Sequence, residues 1–312
     1  MNPIATIFSL LAATFFGAGD FCGGLAVRRA GLMATLIASQ GAGAVLLFVL
    51  AIVSSPLRIA PLDVALAALA GLCAALGIAA LYRGLATGIV AVVAPVSAVL
   101  AALVPAIVGA LGGEAPPLSA MAGAALCLPA VAILSWQDEE AGGRAAVRSS
   151  LISGALAGIL LGAAFAGIAL MRSEAGLWPL FAMRLSAFAA VLLFYAAQAV
   201  LRAGGSAAGG TMAGQPEHRL QPKHEPAPQK RSSGSLFFLA AALASGALDA
   251  SGTAAFRAAS GSGPLMIVSV MTSLYPAITV LLARAFFAQR IGPRRAAGLV
   301  LALAGICLVG LR

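Results

Sequence analysis

Charge is what this sequence has least of. Only 9% of its 312 residues are Asp, Glu, Lys or Arg, where an ordinary soluble domain carries roughly 25%. A water-soluble enzyme of this size needs a charged skin, and 19 basic plus 10 acidic side chains cannot supply one. Disorder is excluded from the other side. With 61% hydrophobic residues and a mean hydropathy of +1.02, there is far too much apolar surface to leave wet. Cysteine and histidine are scarce as well. Cys22, Cys73, Cys127 and Cys307 fall singly inside apolar runs, without CxxC or Cys/His spacing, and read as small buried hydrophobes. His218 and His224 sit in a polar tract without a carboxylate cage, so no metal is expected. GxxxxGK[ST], HExxH and GxSxG do not occur, so neither an ATP-driven motor nor an enzyme is expected, and no cofactor.

What is present is a series of long apolar runs. Ten are of spanning length or close to it: about 4–26, 32–54, 63–82, 89–111, 118–136, 150–171, 178–201, 236–257, 264–287 and 295–311. They do not alternate polar and apolar residues as barrel strands would, so they are expected to be helices. The first run continues to Ala26 and ends in Arg28-Arg29, which fits a span better than a signal peptide. The net charge of +9 does not indicate nucleic acid, because the basic residues lie in short groups between the runs, as orientation charges do. Residues 137–149 form a polar linker. Residues 202–235, rich in Gly, Ser, Pro, Gln and His, have little to bury and are expected to be a disordered loop.

The two halves repeat. Gly17, Leu25, Ala30 and Gly31 match Gly162, Leu170, Ala175 and Gly176 at an offset of 145, and Tyr82-Arg83 matches Phe256-Arg257 at 174. The 29-residue step is close to the length of the 202–235 loop, which reads as an insertion. Five is odd, so a duplicated five-span unit must lie upside down relative to its copy. The expected fold class is therefore all-α: a polytopic membrane protein with ten transmembrane helices as two inverted five-helix repeats. Residues 1–136 form one repeat and 150–312 the other, and a binding site is expected where they meet at mid-membrane.

The segments Leu81-Tyr82-Arg83-Gly84-Leu85-Ala86-Thr87-Gly88, Val93-Ala94-Pro95 and Gly113-Glu114 resemble the repeat of the EamA family in the drug/metabolite transporter (DMT) superfamily. The second copy reads Phe256-Arg257-Ala258-Ala259, Ser273-Leu274-Tyr275-Pro276 and Ala288-Gln289-Arg290-Ile291. Gly19-Asp20-Phe21-Cys22-Gly23-Gly24 resembles a subgroup of that family. Two features depart from the pattern: Ala288-Gln289 stands where Gly-Glu is usual, and the 202–235 loop is long. The resemblance implies ten helices, a bacterial inner-membrane location and secondary transport, usually export, of small metabolites or drugs such as amino acids or amines. Asp20 and Asp249 match acidic positions of the subgroup.

A charge within a span costs at least about 2.5–3.5 kcal/mol at the bilayer centre, so it faces a cavity or a partner. Asp20, Asp249 and Arg184 are the leading candidates, with Arg284 nearer a helix end where it can snorkel. One reading makes Asp20 or Asp249 a protonatable carboxylate that exchanges a proton for substrate or pairs with an amine. The other pairs them with Arg184 as a tether. Gln40, Ser97, Ser269, Thr272 and Tyr275 add polar groups to the same cavity, or bond across helices. Pro95, Pro105 and Pro276 are candidate helix bends. Gly158-Ile159-Leu160-Leu161-Gly162 fits small-residue packing inside a monomer or at a homodimer interface. Odd-numbered connections hold 13 Lys and Arg against four in the even ones and the C-terminus, which puts odd connections in the cytoplasm and both termini outside. The expected partners are the lipid bilayer, a small-molecule substrate and protons, with no nucleic acid. The alternatives are an uncoupled channel, facilitator or lipid-moving protein, or a membrane-embedded sensor or enzyme.

Overall fold

Lipid offers no hydrogen bonds to a backbone, so apolar runs of this length satisfy their own N–H and C=O groups as helices. The structure, a computed structural model, describes residues 2–54, 57, 59–115, 117–135, 143–208, 234–287 and 292–310. Among these residues there are eleven α-helices and no strand. They are α1 (Pro3–Ala30), α2 (Leu32–Ser54), α3 (Pro61–Thr87), α4 (Val90–Leu111), α5 (Leu118–Ser135) and α6 (Gly143–Leu170), then α7 (Trp178–Ala208), α8 (Gly234–Ser260), α9 (Leu265–Thr272), α10 (Tyr275–Phe287) and α11 (Pro293–Gly310). Six of them, α1, α2, α3, α6, α7 and α8, contain stretches long and apolar enough to cross a membrane.

Local chemistry sets the ends. Asn2 Oδ1 accepts from Ile4 N at 3.1 Å ahead of Pro3, and Gly31, at φ 82°, closes α1 with its N–H on Val27 O. Helix α3 opens without a side-chain cap, with Pro61 at its start and Asp63 in its first turn.

Three boundaries differ from expectation. Helix α6 starts at Gly143, inside the expected polar linker, because the Ala-rich 144–147 stretch continues a formed helix at little cost and Ser150 Oγ bonds back to Ala146 O. Helix α7 runs on to Ala208, so the expected loop loses its first residues to helix; residues 209–233, with His218 and His224, lie outside the described residues, as do 136–142 and 288–291. The ninth apolar run is broken into α9 and α10.

The helices bury small residues and turn large ones outward. Alanine dominates the core, while Val53, Leu111, Leu193 and Phe286 are 69–83% exposed. Only 28–44% of each spanning window is buried, so the remaining apolar surface needs lipid. Helix α1 packs on α8, and α3 on α6. Helix α2 packs on α7 and α8, and α3 on α7. Helix α4 lies along α6 and α9, α1 along α9 and α10, and α5 along α11. The approach is closest where side chains are missing. A Cβ on Gly246 of α8 would stand 1.9 Å from Ser39 O of α2. Gly158 and Gly162 meet Ser97 O and Val104 of α4, so that small-residue stripe joins helices within the chain.

Candidate functional site

Arg184 enters the interior from α7 and is 2% exposed. Its guanidinium is ion-paired to Asp249 of α8. It also donates to Gln40 Oε1 of α2 at 3.2 Å and to Thr253 Oγ1 of α8 at 2.7 Å. Asp249 and Thr253 are one helical turn apart and share a face. Thr253 Oγ1 in turn donates to Asp249 O at 2.8 Å. One arginine therefore ties α2, α7 and α8 together. Its Nε has no hydrogen-bond partner among the described residues. The arginine is sealed from solvent, whereas the Asp249 side chain is 22% exposed.

Asp20 lies beside this pair. The α1 backbone runs so close to α8 here that a Cβ on Gly19 would be 3.3 Å from Ser245 O and 3.4 Å from Asp249 N. Asp20 is partly buried at this seam. Asp249, Tyr82 and Tyr275 lie within its electrostatic reach. The Arg184–Asp249 bridge, the one ion pair among the described residues, leaves Asp20 outside it.

Two tyrosines complete the surroundings. Tyr82 Oη shares a 2.8 Å hydrogen bond with Ser245 Oγ, and a Cβ on Gly23 would collide with that hydroxyl at 2.2 Å. Tyr275 Oη stands 3.4 Å from Ser97 Oγ. Tyr275 begins α10, directly after the break at Ser273-Leu274. Pro276 explains the break: it has no N–H to give the carbonyl of Thr272 one turn back. Thr272 Oγ1 is buried there with no partner among the described residues. Helix α1 seats against this point, with Thr279 Oγ1 donating to Gly17 O at 3.0 Å.

Of the residues singled out from sequence, Gln40, Arg184 and Asp249 form one bonded network, with Asp20 at its edge. Ser97 and Tyr275 form a second contact. Ser269 does not join either, because its hydroxyl bonds Leu265 O of its own helix. Helix α4 continues through Pro95 and Pro105, while the chain breaks just before Pro276. The side chains of Pro95, Pro276 and Arg284 lie outside the described residues.

Sequence reasoning missed several participants. Thr253 and Tyr82 carried weak signals: a hydroxyl one turn from Asp249, and one of only three tyrosines in the chain. Asp63 gave no signal and Glu114 showed only within the Gly113-Glu114 motif, because both lie at helix ends. Asp63, 1% exposed, accepts from Arg172 N at 3.0 Å. Glu114 accepts from Leu265 N at 2.9 Å and Met266 N at 3.2 Å, capping α9 from the end of α4.

The comparisons agree with this architecture. Residues 221–311 match the family model of the EamA-like transporter family. A solved crystal structure, described only as that of a protein, superposes with a TM-score of 0.66 at 15% identity. The match covers 97% of this chain and 95% of the other, and it speaks for the fold alone. No curated protein matches the sequence closely enough to count as a relative.

Proposed function

We propose that this chain, whose residues 221–311 match the model of the EamA-like transporter family and which has six helices long and apolar enough to cross a membrane, is a proton-coupled exporter of small metabolites or drugs. It works by alternating access in a bacterial inner membrane. In this reading ten helical units cross the bilayer as two inverted repeats, α9 and α10 together forming the ninth. The pairing pattern supports it. Exchanging α1–α5 with α6, α7, α8, α9/α10 and α11 turns the α1–α8 contact into α6–α3, α2–α8 into α7–α3, and α4–α6 into α9/α10–α1. The α2–α7, α4–α9 and α5–α11 contacts exchange with themselves.

The observation that carries the proposal is the unequal state of the two interior aspartates. Asp249 is held by Arg184, whereas Asp20 is outside the bridge and only partly buried. A carboxylate at that depth needs a compensating cation, and a proton or a substrate can supply it in turn. Asp20 is therefore the exchanging group, and Arg184–Asp249 the tether beside it. The broken α9–α10 segment supplies the flexible element, because backbone irregularity at membrane depth is tolerated where it lines a cavity.

The test is uptake into everted vesicles or proteoliposomes with an imposed pH gradient. Antiport requires flux to rise with the gradient and to collapse when an ionophore dissipates it. Flux indifferent to the gradient would support the uncoupled facilitator instead.

A further inference from the structure

The charges around Asp20 restrict what can bind there. This inference rests on the exchange reading above and sharpens it. Helices α2, α3, α8, α9 and α10 pack against α1. Helices α2 and α9 contain no ionisable residue. From α8 comes Asp249, from α3 Tyr82, and from α10 Tyr275, with Arg184 behind Asp249 on α7. The described site thus holds two carboxylates against one guanidinium.

That guanidinium is spent. Its donors go to Asp249, Gln40 and Thr253, and only the buried Nε is left without a partner. A substrate carboxylate would find no free cation to receive it. Tyr82 and Tyr275 are buried with their hydroxyls engaged by Ser245 and Ser97, so neither supplies a positive group. We infer that the site is specific for monovalent organic cations, amines or quaternary ammonium ions without a carboxylate, and that one such cation replaces one proton on Asp20. The exchange is then electroneutral. Zwitterionic amino acids are not substrates.

A set of ligands sharing one ring tests this on the purified full-length protein. Phenylethylamine carries only an ammonium, phenylalanine an ammonium and a carboxylate, phenylpropionate only a carboxylate, and benzyltrimethylammonium a permanent charge. Binding is followed calorimetrically in two buffers of different ionisation enthalpy, which also counts protons released. Phenylethylamine and benzyltrimethylammonium bind and release about one proton each, because charge balance at Asp20 admits one cation. Phenylalanine and phenylpropionate bind at least about 100-fold more weakly, the factor implied by an unpaired carboxylate in the hydrocarbon zone. Asp20→Asn abolishes the proton release and the cation preference, and Asp20→Glu, which keeps the charge and so controls for folding, restores both. In proteoliposomes the benzyltrimethylammonium–proton exchange gives no net current on a solid-supported membrane. Phenylalanine binding as tightly as phenylethylamine with proton release, or a sustained current, overturns the cation assignment and leaves antiport standing. Cation binding without proton release overturns antiport itself, and no binding by any of the four ligands overturns both.

Discussion

Arg184 and Asp249 show how neighbouring interior charges take different roles. A buried ion pair is costly to assemble and far costlier to break from one side. Arg184→Met leaves Asp249 without its cation and is expected to lower stability by about 3–5 kcal/mol. The double replacement Arg184→Met with Asp249→Leu recovers most of that loss. Thermal unfolding in detergent reads both, and equal destabilisation in the single and double variants would contradict the tether. Asp20→Asn removes an unbridged charge, so it should leave unfolding unchanged or raised while abolishing pH-driven flux. The pairing itself was not legible in the sequence. Each charge in an apolar run announced itself by its cost, but which aspartate meets the arginine depends on how α7 and α8 approach, and no local pattern records that. Thr253 was hidden for the same reason.

At the scale of elements, the chain is joined by close backbone approaches and by two carboxylates at helix ends. Gly246→Ala puts a methyl group against Ser39 O, 1.9 Å from its ideal position, and must spread α2 from α8. A loss of about 1–3 kcal/mol is expected, measured by thermal unfolding. Glu114→Ala strips the cap from α9 and should cost about 0.5–2 kcal/mol. Glu114→Gln should lose less, because the amide oxygen still accepts one N–H. Pro276→Ala returns an N–H to the Thr272 carbonyl and should favour a continuous α9–α10. Slower turnover with unchanged ligand affinity is the expected signature, separated by comparing initial transport rates with equilibrium binding. The break was partly visible beforehand, since Pro276 marked it, yet Pro95 and Pro105 are equally plain in the sequence and α4 runs on through both. A proline predicts a missing hydrogen bond, and the neighbours decide whether the helix breaks. The partners of Glu114 and Asp63 were unreadable because a helix-end carboxylate looks like an ordinary loop charge until the segment it binds is in place.

At the scale of the molecule, composition alone carried the membrane assignment. Nine per cent charge left no other solvent for the apolar faces, and the outward-turned Val53, Leu111 and Leu193 follow from it. The distribution of basic residues predicts that the connections within 137–149 and 202–235 face the cytoplasm. Single cysteines placed there, in a background without Cys22, Cys73, Cys127 and Cys307, should resist an impermeant maleimide in whole cells and react in everted vesicles. Labelling in whole cells would reverse the orientation.

In the proposed mechanism proton and substrate exchange at Asp20 and not at the bridged Asp249. Proton release on adding benzyltrimethylammonium to purified protein tests it most directly, with the wild-type chain compared against Asp20→Asn and against Arg184→Met with Asp249→Leu. Release is expected from the wild type and from the double variant, and none from Asp20→Asn. Release that survives Asp20→Asn and disappears when the bridge is removed would contradict it, and would move the exchange to Asp249.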